Sequence, residues 1–300
     1  MGEEVKTIGM MGALAAATVC PAALTDAQKS AIDRITGTKG TYAADEDVYK
    51  VTFPRAEVKV RVDGWSMHPF MGITSWAAFT PAGGERLMVM GDLALFPDEV
   101  NPVMSTVLDS GLAVTALHNH FFYDEPRVMF MHIDGSGPVE ALAGAVRKAF
   151  DQVREIRRAS PVPASTFGGP AMPDKSSTTP GPIEQVLGVK GQSSGGMYKV
   201  VIGRKAAAHG HPIGKEMGVN AWAAFGGTDD NAVVDGDFAM LESEVQSVLK
   251  ALRGAGVNIV ALHNHMAHEE PRYFFLHYWG RGRAVDLAKA VKAALETQRE

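Results

Sequence analysis

The amino-acid sequence predicts an α+β fold built twice: two tandem repeats, each a mostly antiparallel sheet with helices on one face, related by a pseudo-twofold axis. Three observations predict it. First, Ala116-Leu117-His118-Asn119-His120 recurs as Ala261-Leu262-His263-Asn264-His265. Second, Gly91-Asp92, Glu99-Val100, Gly111, Glu125-Pro126-Arg127 and His132 recur as Gly236-Asp237, Glu244-Val245, Gly256, Glu270-Pro271-Arg272 and His277, all at one offset of 145 residues. A repeat of that length is a whole domain, well beyond the period of a solenoid. Third, each copy reads as several strands, a helix, two strands and a helix, without the regular alternation of a doubly wound sheet.

The elements follow in order. Thr25 or Asp26 caps a short helix running through Ile35, and Gly37–Gly40 ends it. Val48–Phe53 and Val58–Val62 alternate apolar and polar residues, as half-buried strands do. Trp76–Phe79 and Leu87–Leu95 are two further strands. Val100, Val103, Met104, Val107 and Leu108 form one apolar helical stripe, with Pro102 tolerable in its first turn and Gly111 placed to end it. Val114–His120 and Val128–Ile133 are strands, and Leu142, Val146, Ala149, Phe150 and Val153 mark a closing helix. The second copy repeats this with Val245–Leu252, Ile259–His265, Tyr273–Tyr278 and Leu287–Leu295.

Length and composition bound the rest. A chain of 300 residues accommodates two domains. The net charge of −5, with no cluster of Lys and Arg, argues against a nucleic-acid partner. Cys20 is the sole cysteine, so neither an intrachain disulfide nor a cysteine zinc site is available. It ends the apolar run Ile8–Val19, which is too short to span a bilayer and suits a signal-peptide core. No transmembrane span is expected. A lipid-anchored protein keeps a cysteine at this point, but Val19 stands where a small residue is usual. The expected organisation is a signal or anchor segment at 1–23, a first repeat at 24–157, a Pro/Ser/Gly-rich linker at 158–182 and a second repeat at 183–300.

The chemistry concentrates in the histidines. Residues two apart on a strand share a face, so His118 and His120, and likewise His263 and His265, project together. Two neutral imidazoles begin a zinc or copper site. Glu125 and Glu270, just after these strands, are the nearest carboxylates, as ligands or general bases. Asp92 and Asp237 rank below them. So do His132 and His277, which the ladder sets on the order of 10 Å away. Their face depends on one residue of register. His68-Pro69 and His211-Pro212 also look equivalent. The competing reading is a polar network that only fixes the fold. Trp65, Trp76, Trp222 and Trp279 would line a binding groove, except that Trp76 and Trp222, each followed by Ala-Ala-Phe, suit the core better.

Gly-Asp, Glu-Val, Ala-Leu-His-Asn-His, Glu-Pro-Arg, a histidine strand and an Ala/Leu-rich helix, all present twice, resemble the LppY/LpqO family over about Leu24 to Leu295. The resemblance implies an exported bacterial protein or lipoprotein and no established reaction. Two functions are therefore expected to compete. One is an extracytoplasmic metal-binding protein, at most a metal-dependent hydrolase. The other is a non-catalytic module that binds a small ligand or a cell-envelope component.

Overall fold

The computed structural model describes residues 23–298. Its first repeat runs α1 (Asp26–Thr36), β1 (Thr41–Ala43), β2 (Val48–Pro54), β3 (Arg61–Val62), β4 (Trp65–Ser66), β5 (Thr74–Pro81), β6 (Leu87–Leu95), α2 (Pro97–Asp109), β7 (Ala113–Asn119), β8 (Asp124–Glu125), β9 (Met129–Gly137) and α3 (Val139–Ala159). The second repeats the order with α4 (Pro180–Leu187), β10 (Gln192–Ser194), β11 (Met197–Gly203), β12 (Ala206–Ala208), β13 (His211–Ile213), β14 (Asn220–Gly227), β15 (Ala232–Leu241), α5 (Val245–Gly254), β16 (Asn258–His263), β17 (Glu269–Glu270), β18 (Tyr273–Gly282) and α6 (Ala284–Leu295). The expected export segment lies outside the described residues, apart from Ala23.

Twelve strands form one antiparallel sheet in the order β1-β2-β5-β6-β9-β7-β16-β18-β15-β14-β11-β10. The order is a palindrome. Its centre is the junction of β7 with β16, where Leu117 pairs with Leu262. The two repeats thus meet edge to edge, and the inner edge strand of each, β7 and β16, is paired with its counterpart, leaving β1 and β10 as the outer edges. Leu117 and Leu262 are buried with the apolar stripes of the helices, so all six helices lie on one face. The α2 stripe from Val100 to Leu108 is buried as its period requires.

At this junction both inner strands carry a bulge, between Val114 and Ala116 and between Ile259 and Ala261. A bulge leaves ladder groups unpaired. Side-chain amides from the other repeat supply the partners. Asn101 of α2 donates to Ile259 O at 3.1 Å and accepts from Ile259 N at 2.7 Å. Gln246 of α5 donates to Val114 O at 2.8 Å and accepts from Val114 N at 3.0 Å.

Three local expectations change. Of Val58–Val62 only Arg61–Val62 is a strand, and it belongs to a small sheet ordered β4-β3-β8, matched in the second repeat by β13-β12-β17. These small sheets cover minor cores around Phe96 and Phe130 and around Tyr273 and Phe275, on the face opposite the helices. Second, α4 begins inside the expected linker. Its Pro180 reads as a breaker but occupies the first turn, where no intrahelical N–H is needed. Third, the stretch before α4 is tied to the second repeat: Arg281 donates to Gly168 O and Pro170 O, and Asn231 to Ala171 O at 2.9 Å.

Candidate metal centre

Register places the histidines. His118 faces Phe130 and Ala116 faces His132, so His132 is a diagonal same-face neighbour of His118. In the second repeat His263 faces Phe275 and Ala261 faces His277. Because Leu117 and Leu262 point into the helical core, the adjacent His118 and His263 project from the opposite face. All six histidines therefore share the helix-free face. Ring centroids lie 5.1 Å apart for His118–His120 and for His118–His132. They lie 5.1 Å apart for His263–His265 and 5.0 Å for His263–His277. In the second repeat one ligand atom from each of His263, His265 and His277 lies within 4.8 Å of the others. The expected separation of about 10 Å for His132 overlooked this diagonal, and His132 and His277 belong in the first rank.

The outer histidines are held by stacking. His120 lies on Phe130 at 3.4 Å and 6°, and His265 on Phe275 at 3.5 Å and 9°. Asp92 and Asp237 complete the clusters. Asp92 faces His132 across β6 and β9, and Asp237 faces His277 across β15 and β18. The Asp237 Oδ2 atom is 3.4 Å from His265 Nε2. Glu125 and Glu270 are placed differently. They are exposed members of the small sheets, paired with Arg61 and Ala207. The acids before them are buried and brace the turn: Asp124 accepts from Val128 N at 2.6 Å, and Glu269 from Tyr273 N at 3.1 Å. The carboxylates acting on the histidines are Asp92, on His120, and Asp237, on His265.

Electrostatics favours a cation here. Burial, with His277 and His265 adding to it, lowers His263 to about 4. Burial also lowers His120 and His265, against the opposing pull of Asp92 and Asp237. Burial raises the Asp237 carboxyl, although His277 and His265 oppose it. His120, His263 and His265 are thus favoured in the neutral form, with lone pairs available to a cation, near pH 7. Asp92 Oδ1 and His263 Nδ1 are buried with no hydrogen-bond partner among the described residues. Three imidazoles, with a carboxylate beside them, fit zinc or copper.

The low His263 value has a thermodynamic consequence. An unfolded histidine titrates near ~6.5, so between that pH and about 4 the unfolded chain binds a proton that the folded chain refuses. Metal-free protein is expected to lose stability as pH falls through this window. Urea midpoints at pH 7 and pH 5 check it. The drop should shrink in His263→Gln, and an equal drop in that variant would refute the assignment.

Sequence reasoning missed the walls of the site. Trp76 pairs with Asp92, and Trp222 with Asp237, so both tryptophans share the histidine face. Strand parity sends Ala77 and Phe79 into the core and Trp76 out of it, contrary to the core placement expected. Gly91 and Gly236 precede these aspartates because a Cβ there would collide with Trp76 O and Trp222 O. Lys50 Nζ lies 4.2 Å from the Trp76 ring centroid, and Lys199 Nζ lies 3.9 Å from that of Trp222. A cavity of about 1010 Å³ includes Lys50, Trp76, Asp92 and His120 in its walls. One of about 610 Å³ includes Lys199, Trp222, Asp237 and His265. His68 and His211 are not equivalent. His68 precedes the turn Pro69–Met71, whereas His211 lies in β13, ahead of the matching turn Lys215–Met217. His268 has φ 65°, like Tyr123 at 59° in the first repeat, so it holds a turn position.

The family described as Domain of Unknown Function (DUF1259) matches residues 30–152 and again 181–297. No curated protein matches the chain. Among solved structures, a trimeric bacterial microcompartment shell protein, PduB, is 14% identical, with 86% of this chain and 89% of that chain covered and a TM-score of 0.19.

Proposed function

We propose that this chain, which belongs to the family described as Domain of Unknown Function (DUF1259) and carries its domain twice, is an extracytoplasmic protein binding one metal ion in each repeat. The ligands are His118, His120 and His132 beside Asp92, and His263, His265 and His277 beside Asp237. The carrying observation is the convergence of three histidine ligand atoms within 4.8 Å in the second repeat. The first repeat supports it with equivalent residues on equivalent strands. Zinc and copper suit the imidazole-rich set. Three imidazoles on a face without helices leave a zinc position open to a ligand or water, the arrangement of metal-assisted hydrolysis.

The competing reading, a polar network within a non-catalytic envelope-binding module, requires its buried polar atoms to be paired. Among the described residues Asp92 Oδ1 and His263 Nδ1 lack a partner, as do buried atoms elsewhere such as Asp98 Oδ1 and Glu269 Oε2, so the convergence of the histidines carries the choice. Export rests on the apolar run Ile8–Val19 and on the likeness to the LppY/LpqO family. Val19 weighs against a lipid anchor on Cys20.

Metal stoichiometry tests the proposal. After incubation with zinc, or separately copper, and desalting, the wild type is expected to retain two ions per chain. The variant His263→Ala/His265→Ala should retain one. A wild type that retains none, or a variant that retains as much as the wild type, overturns it.

A further inference from the structure

Both cavities repeat one arrangement that a bare metal site does not need. In each, a lysine stands over a tryptophan, and the tryptophan is the strand neighbour of the aspartate beside the histidines. Lys50 over Trp76 leads to Asp92 and His120. Lys199 over Trp222 leads to Asp237 and His265. The two lysines share no sequence context beyond Tyr-Lys-Val, and their offset of 149 differs from the 145 of the histidines, yet they reach matching places. Both are exposed, and among the described residues neither makes an ion pair with a carboxylate. A tryptophan face holds an ammonium without neutralising it. Each lysine is therefore a fixed, uncompensated positive charge on one wall. Lys59 also lines the first cavity, and Lys190 and the Lys215–Glu216 ion pair line the second.

We infer that each cavity binds a small oxyanion, a carboxylate or phosphate group, between the lysine on its tryptophan platform and the metal held by the histidines. The inference rests on the metal-site proposal and names the ligand class of that site. A carboxylate or phosphate oxygen takes the open metal position, and the lysine donates to another oxygen of the same group. Asp92 and Asp237, beside the histidines, would repel such an anion in a metal-free cluster. The cation reverses the sign of the field there.

The test uses the full chain, desalted after zinc loading, with benzoate and inorganic phosphate as separate probes in calorimetric titrations. Zinc content is measured on every sample. Wild type is expected to bind at least one probe, the stronger one identifying whether carboxylate or phosphate is preferred. Lys50→Met/Lys199→Met, at two exposed positions outside the cores, should keep its zinc and bind at least about ten-fold more weakly, some 1.4 kcal/mol per cavity. Zinc-loaded wild type that binds neither probe, or a variant that binds as tightly as wild type, overturns the inference and leaves the metal site standing. Wild type that holds no zinc but binds a probe through the lysines overturns the metal site and, with it, the bridging of the anion between lysine and metal inferred here. Neither zinc nor probe binding overturns both.

Discussion

Glu99→Ala is expected to destabilise the chain by about 3–5 kcal/mol, the cost of stranding a buried charge. Glu99 is fully buried at the start of α2, and its carboxylate takes a two-pronged ion pair from Arg55, Nη1 to Oε2 and Nη2 to Oε1, both 2.8 Å. Arg157 of α3 approaches Oε1 at 2.8 Å, and Phe96 N donates to Oε2 at 2.9 Å. Arg55 and Arg157 are themselves only 5% and 6% exposed. Alanine would remove the helix cap and leave two guanidiniums in the interior, Arg55 with only Glu57 and Arg157 with only Asp98 as carboxylate partners. The counterpart Glu244→Ala should cost less, because Arg204 is 15% exposed and its charge regains more water. Guanidinium unfolding of the three proteins checks the order. A loss below about 1 kcal/mol for Glu99→Ala, within the range of ordinary substitutions, would show that the pair does not seat α2.

The same residues show how far the sequence could be read. Glu99 and Glu244 stood out as a matched pair because no insertion separates them from the histidines. Their partners Arg55 and Arg204 are offset by 149 residues, outside that frame, so nothing in the spacing joined them. Periodicity found α2, α5 and the inner strands, since each has one buried face. It missed α4, whose two prolines and single turn pair of Ile183 and Leu187 carry too short a stripe. Within the site, strand parity correctly brought His118 to His120 and His263 to His265. It could not rank the carboxylates, because chain proximity favoured Glu125 while the ladder favoured Asp92, 28 residues from His120 in sequence and beside His132 across one strand pair. The palindromic sheet was legible as a twofold relation. The edge that mediates it was not, since Leu117 and Leu262 read equally well as core residues of their own repeats.

That edge gives the second large effect. Asn101→Ala is expected to cost about 2–4 kcal/mol, because it leaves Ile259 N and Ile259 O without their partners and each buried unpaired group costs ~1–3 kcal/mol. The ladder cannot repair the loss: Leu117 and Leu262 are the one residue pair joining β7 to β16, and the bulges carry the neighbouring backbone groups out of register. Gln246→Ala should cost somewhat less, as Gln246 is half-buried and water reaches the groups it releases. Asn101→Asp separates lost hydrogen bonding from lost volume. It keeps the shape but turns an acceptor toward Ile259 O, so it should be at least as damaging as alanine. Urea denaturation of the single variants and of Asn101→Ala/Gln246→Ala measures this. The double variant is expected to lose close to the sum, since the clamps have no residue in common. If Asn101→Asp instead matches the wild type within about 0.5 kcal/mol, the clamps do not hold the repeats together and the junction rests on the apolar packing of Leu117 and Leu262.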